Sequence, residues 1–168
     1  DDASEEEATI DTKISRSKGA GGLRDLIARQ GGERLRYFLI KTHYRSTIDF
    51  SEAGIAEAGT RLEKFYTFFE RYERITGSSF YNGVESLIRT RAAGEFDPHD
   101  SALLTDTKKF RDSFLTKMDD DFNTGGAVSE LDGLLSTLNK FADAKKLEDP
   151  KARKDEDVAD FKRAVETL

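Results

Sequence analysis

The chain has 168 residues, of which 36% are hydrophobic and 36% charged, with a formal net charge of −6. That size suits one domain with long polar surfaces, and twelve Phe and five Tyr supply its large units of burial. The absence of Cys excludes disulfides and thiolate metal sites. An acidic N-terminus and the lack of any eighteen-residue apolar run give no sign of a signal peptide or membrane span, so a cytoplasmic protein free of membrane is expected.

Residues 1 to 12 (DDASEEEATIDT) cannot bury enough apolar surface to offset the entropy of ordering, which predicts a disordered acidic tail or a cut end. Residues 13 to 22 (KISRSKGAGG) combine three glycines with three cations, the composition of a mobile basic loop. Leu23, Leu26 and Ile27 then share one helical face, and Gly31-Gly32 stops that short helix. A second helix runs from Glu33 to about Tyr44, with Leu35, Phe38, Leu39 and Thr42 inward and Arg34, Lys41 and Arg45 outward. Thr47 to Phe50 is an extended connector.

Ser51 is placed to cap the longest helix, in which Ile55, Ala58, Leu62, Phe65, Phe69 and Tyr72 recur at steps of three and four as far as Ile75. Residues 76 to 98 read as an excursion with a short helix near Val84 to Arg91, broken by Gly94 and Pro98. Leu103, Leu104, Thr107, Phe110, Phe114 and Met118 mark a helix to about Asp119, and Val128, Leu131, Leu134, Leu135, Leu138 and Phe141 mark the next. Val158, Phe161, Val165 and Leu168 begin a last helix without a terminal capping signal, the expected mark of truncation or continuation. The reading is all-α: a mobile basic loop and two short connecting helices (13–50), then an antiparallel helical bundle (51–168).

Charge is unevenly spread. The net acidity argues against indiscriminate nucleic-acid binding, which depends on surplus cations to release phosphate counterions. Yet between Lys13 and Ser46 nine basic residues (Lys13, Arg16, Lys18, Arg24, Arg29, Arg34, Arg36, Lys41, Arg45) face two acids, Asp25 and Glu33. His43 and His99 are too few and too far apart in sequence for a His-rich zinc site. Asp119, Asp120 and Asp121 read as a solvated helix end, with Asn123 or Thr124 capping the next helix, rather than as metal ligands. Phe65, Tyr66, Phe68, Phe69 and Tyr72 have the spacing of a core stripe, with base stacking as the competing reading.

Three segments in order carry a resemblance. KISRS at Lys13 to Ser17 resembles the KMSKS signature of class I aminoacyl-tRNA synthetases, with Ile14 for Met and Arg16 for the second Lys. The stretch GGERLRYFLIKTHYRSTIDFSEAGIAEAGTRLEKFY, Gly31 to Tyr66, resembles the cysteinyl-tRNA synthetase pattern of helix, HYRSPL-type turn and FSEE-type helix start. MDDDFNT, Met118 to Thr124, resembles the same family's MDDDFNTP segment, with Gly125 where the family has Pro.

The resemblance implies a parent enzyme that activates cysteine with ATP and Mg and ligates it to tRNA(Cys), with zinc in its cysteine pocket. It places Lys13, Ser15, Arg16 and Ser17 at the ATP phosphates, where cations on a flexible loop stabilise the charge of departing pyrophosphate. It makes Arg24, Arg29, Arg34, Arg36, Lys41 and Arg45 candidates for tRNA phosphate contacts, the competing reading for each being a solvated helix face. No complete catalytic set and no bound cofactor or metal are expected in this chain. The expected partners are the N-terminal catalytic domain of the same polypeptide and tRNA(Cys), with the protein a monomer. A mycothiol-pathway cysteine ligase and a non-catalytic helical interaction module are the alternatives.

Overall fold

A computed structural model describes residues 23–83 and 97–168. The acidic tail, the KISRS loop and the short helix expected near Val84 to Arg91 lie outside the described residues. Those described form six α-helices and one 3-10 turn, with no strand among them: α1 (Leu23–Gln30), α2 (Gly32–Ile40), α3 (Glu52–Thr76), the 3-10 turn (Phe80–Gly83), α4 (Ala102–Asp119), α5 (Thr124–Ala144) and α6 (Asp155–Val165).

Local chemistry sets the helix ends. Gly31 adopts φ 81°, a conformation that a side chain would strain, and it turns α1 directly into α2. Ser51 Oγ accepts from the Gly54 N–H at 3.1 Å and starts α3, as its position before an acidic first turn predicts. Ser101 does the same for α4 through the Leu104 N–H at 3.3 Å, and Asn123 for α5 through Gly126 at 2.9 Å. The three acids in the first turn of α6, Asp155, Glu156 and Asp157, complement its positive end.

The direction of packing follows from the cross-helix links. Arg61 of α3 meets Asp132 of α5, and further along Arg71 meets Asn139, so α3 and α5 run parallel. Their other neighbours run against them: α4 and α5 form a tight helical hairpin through residues 120–123, and α6 returns along α3. One core threads all of these helices, with Phe68 and Phe161 in edge contact at 5.9 Å between α3 and α6 and Ile55, Leu104, Leu138 and Val165 filling the layers. Arg71 locks the far end: one of its guanidinium nitrogens donates to Asn139 Oδ1 at 2.9 Å, and the other pairs with Asp143 and, at 3.2 Å, Glu148. Arg153 donates to the Ile75 carbonyl at 2.6 Å, satisfying a C-terminal acceptor of α3.

One phase differs from expectation. Leu39 is exposed, and Tyr37 is buried beside Leu35 and Phe38. α2 touches α5 as well as α3, so its buried arc is wider than a single-partner stripe and rotates toward Asp132 and Arg61, which sit near the Tyr37 hydroxyl. The α3 stripe shifts by the same logic: Phe68 is buried deeper than Phe69 because α6 covers it, while Phe69 stacks on Phe80 of the 3-10 turn at 4.0 Å. This cluster decides in favour of core for most of the α3 aromatics.

Tyr66, on the α2 side of α3, donates to the Glu33 carboxylate, which pushes its hydroxyl up to about 12. The folded chain thus holds this proton more tightly than the unfolded chain. The resulting stabilisation is complete below the ordinary tyrosine value of 10.0 and is lost as pH rises through about 12. Melting temperature is therefore expected to fall across that window, and the fall should be shallower in Tyr66→Phe. Parallel slopes in the two proteins would remove the Glu33–Tyr66 link as a cause.

Candidate nucleic-acid interface

α2 runs antiparallel to α3, with Glu33 beside Tyr66, Arg34 beside Gly59 and Phe38 beside Gly54. Its C-terminal end therefore arrives where α3 and α5 both begin and where α4 ends. At that end the His43-Tyr44-Arg45-Ser46 turn docks on the Asp120-Asp121-Phe122-Asn123 turn. Two of the three segments that carry the sequence resemblance are thus bonded to each other in space through residues 77 and 78 positions apart in the chain.

Asp121 is the centre of the junction. Its carboxylate accepts from the Tyr44 hydroxyl at 2.7 Å and pairs with Arg45 Nη1 at 3.0 Å, and its backbone carbonyl lies 3.2 Å from His43 Nε2. The Arg45 N–H donates to His43 Nδ1 at 3.2 Å, which makes Nδ1 the acceptor and leaves the ring proton on Nε2 to donate to the Asp121 carbonyl. His43 stacks on Tyr44 at 4.8 Å, and the Arg45 guanidinium lies 5.4 Å from the Tyr44 ring. Hydrogen bonding to Asp121 raises the Tyr44 hydroxyl above its ordinary value.

The α4–α5 turn is heavily determined. Asp121 and Phe122 both take the left-handed conformation, at φ 55° and 53°. The N–H groups of Phe122 and Asn123 return to the Met118 and Lys117 carbonyls at 3.2 and 3.0 Å, which satisfies the end of α4. Gly125 completes the fit: a Cβ there would stand 2.6 Å from the Lys41 carbonyl oxygen. Where the resembling family carries Pro, this chain has the one residue that admits so close an approach of backbone.

The six candidate phosphate-contact cations are split by the fold. Arg24, Arg29 and Arg36 are exposed and have no ion-pair partner among the described residues. Arg34 is half-buried, its guanidinium laid over Gly59 of α3, where a side chain would collide with it. Lys41 pairs with Glu57 at 3.4 Å and lies 5.4 Å from the Phe38 ring, and Arg45 is engaged by Asp121. Arg24 and Arg29 sit at one end of α2, on α1, and Lys41 and Arg45 at the other. The ATP-phosphate candidates Lys13, Ser15, Arg16 and Ser17 lie outside the described residues.

In the sequence Tyr44 and Phe122 carry no functional reading, and Asp121 reads only as part of a solvated helix end, whereas in the structure it accepts from Tyr44 and pairs with Arg45. A run of acids ending in Asp-Phe-Asn reads as a solvated helix terminus, and nothing in periodicity reveals that a distant turn will land on it. Among the described residues no three of His, Cys, Asp and Glu are grouped to hold a metal ion, and no helix is long and apolar enough to cross a membrane.

Residues 113–167, from mid-α4 through α6, match the family described as DALR domain. The chain is 35% identical over 145 residues to the cysteine–tRNA ligase of Moorella thermoacetica, covering 83% of this chain and 28% of that protein. It is 32% identical over 158 residues to the cysteine–tRNA ligase of Thermodesulfovibrio yellowstonii, covering 93% and 29%. Against the cysteine–tRNA ligase of Thermococcus onnurineus the identity is 29% over 140 residues, covering 83% and 27%. The chain thus spans less than a third of the length of these relatives. The aligned span takes in both turns of the Asp121 junction as well as the helices that carry them, so the likeness is to one segment of these cysteine–tRNA ligases, with the DALR domain match at its C-terminal end.

Proposed function

We propose that this chain is the part of a cysteine–tRNA ligase that braces tRNA(Cys) against the enzyme, in a parent protein that activates cysteine with ATP and transfers it to that tRNA. The observation that carries this reading is the likeness to proteins named cysteine–tRNA ligase over nearly the whole chain, together with the DALR match from mid-α4 through α6. The names favour a tRNA ligase over a mycothiol-pathway ligase or a non-catalytic module. ATP with Mg, and zinc in the cysteine pocket, belong to the parent enzyme. Lys13, Ser15, Arg16 and Ser17 are this chain's contribution at the ATP phosphates, and a cytoplasmic, monomeric protein fits the same reading.

Among the six cations, Arg24, Arg29 and Arg36 are the strongest candidates for phosphate contacts, because they are exposed and no ion pair engages them among the described residues. Arg34, Lys41 and Arg45 hold α2 and its turn in place and present only their remaining donors to RNA. Replacing Arg24, Arg29 and Arg36 by Ala should weaken tRNA binding at low salt. The slope of log affinity against log salt should fall by about one for each of the three that touches a phosphate.

The parent activity is tested by cysteine-dependent charging of tRNA(Cys) with the longer polypeptide that contains this chain. The 168 residues alone should show no cysteine-dependent exchange of pyrophosphate into ATP. Charging of another amino acid, or none by an intact and folded parent, would overturn the reading.

A further inference from the structure

Phe122 is unexplained by folding. It is 66% exposed, so it adds little to the core, and its left-handed backbone at φ 53° is one that glycine would occupy without strain. No aromatic ring stacks on it among the described residues, whereas the buried Phe68 of α3 and Phe161 of α6 are in ring contact. A bulky ring held out in solvent, at a backbone position that disfavours it, points to an external contact.

The presentation is rigid. Asp121, directly before it, is held by Tyr44, Arg45 and His43, and Asn123, directly after it, caps α5. Both backbone shoulders of Phe122 are thus fixed to different parts of the bundle. The cations of the same corner are Arg45, Lys41 and Lys117, whose stem lies over Gly126 at the start of α5.

We propose that Phe122 is a stacking platform for one unpaired base of the bound RNA, with the Asp121 junction as the device that positions it. This rests on the tRNA reading above. A protein partner fits less well: the residues flanking Phe122 in the turn, Asp120, Asp121 and Asn123, are polar, and the exposed Tyr44 ring bonded to Asp121 is already engaged by His43 and Arg45, whereas a base needs a single ring face and no particular sequence. The acids do not forbid it, because the stacked base is uncharged and Arg45 offsets the nearest carboxylate. Arg45 also marks the side from which the backbone phosphates would approach.

Phe122→Gly is the decisive variant, since it removes the ring while relieving the backbone. Fluorescence anisotropy of the 168-residue chain would be read with a tRNA(Cys) transcript and with a fully paired RNA hairpin of the same phosphate count. Phe122→Gly is expected to melt no lower than the parent chain and to bind the transcript roughly 5- to 100-fold more weakly, with hairpin affinity unchanged. Phe122→Trp should retain transcript binding. If the parent chain binds the transcript and Phe122→Gly binds it equally well, or weakens equally on the hairpin, the platform is overturned and the tRNA reading stands. If the parent chain binds neither RNA, both fall.

Discussion

Phe161→Ala is expected to destabilise the chain by about 3–5 kcal/mol, the range for emptying a fully buried aromatic site. Phe161 has no exposed surface and is the one residue of α6 that touches two aromatic rings of α3, Phe68 at 5.9 Å and Tyr72 at 6.1 Å. Those rings come from the C-terminal half of a 25-residue helix and cannot close over the gap without moving the helix axis. The loss should appear as a lower midpoint in urea with an unchanged slope if the whole bundle still unfolds together. A loss under about 1 kcal/mol would mean that α6 frays from α3 in solution, and the DALR helices would then not share the core of α3.

Gly125→Ala should cost about 1–3 kcal/mol, the usual range for forcing atoms into a closed space. The sign is informative, because at an open helical position the same change would stabilise by about 0.5–1 kcal/mol. At Gly125 the added Cβ meets the Lys41 carbonyl oxygen at 2.6 Å, a backbone atom that cannot swing aside. The His43 turn must then lift from the Asp121 turn, so Gly125→Ala and Asp121→Asn should be strongly non-additive. Gly32→Ala is the control: only Ile27 Cγ2, at 3.8 Å, stands near its Cβ, and that variant should be neutral or stabilising. Chemical denaturation of the single variants and the Gly125→Ala/Asp121→Asn double variant checks the set, and a stabilised Gly125→Ala would mean that the two turns are not in contact.

These outcomes bear on how the corner works as much as on stability. Asp121 joins the end of α2 to the start of α5, and the Lys41 backbone and Gly125 press together just behind it. A ligand that pulls on Phe122 therefore pulls on α2 as well. The Arg-bearing helices and the α4–α5 hairpin are in this way one mechanical unit, although α1 and α2 lie outside the matched DALR residues.

Much of the scaffold was legible in the sequence because it rests on local physics. The steps of three and four in α3, α4 and α5, the Ser51 cap and the Gly31 and Gly77 breaks each depend on a few neighbouring residues. The three family-like segments were readable for the same reason, as short strings of letters. Tertiary structure alone decided which face of each helix had two partners. It buried Tyr37 in place of Leu39, because α2 lies against α5 as well as α3. It also divided six equivalent-looking cations into three that bind the protein and three that face solvent, a distinction set by where Gly59, Glu57 and Asp121 happen to fall. Above all it brought His43-Tyr44-Arg45 onto Asp121, a contact between turns too distant in the chain for any local pattern to encode, held by hydrogen bonds that exist only once the helices have packed.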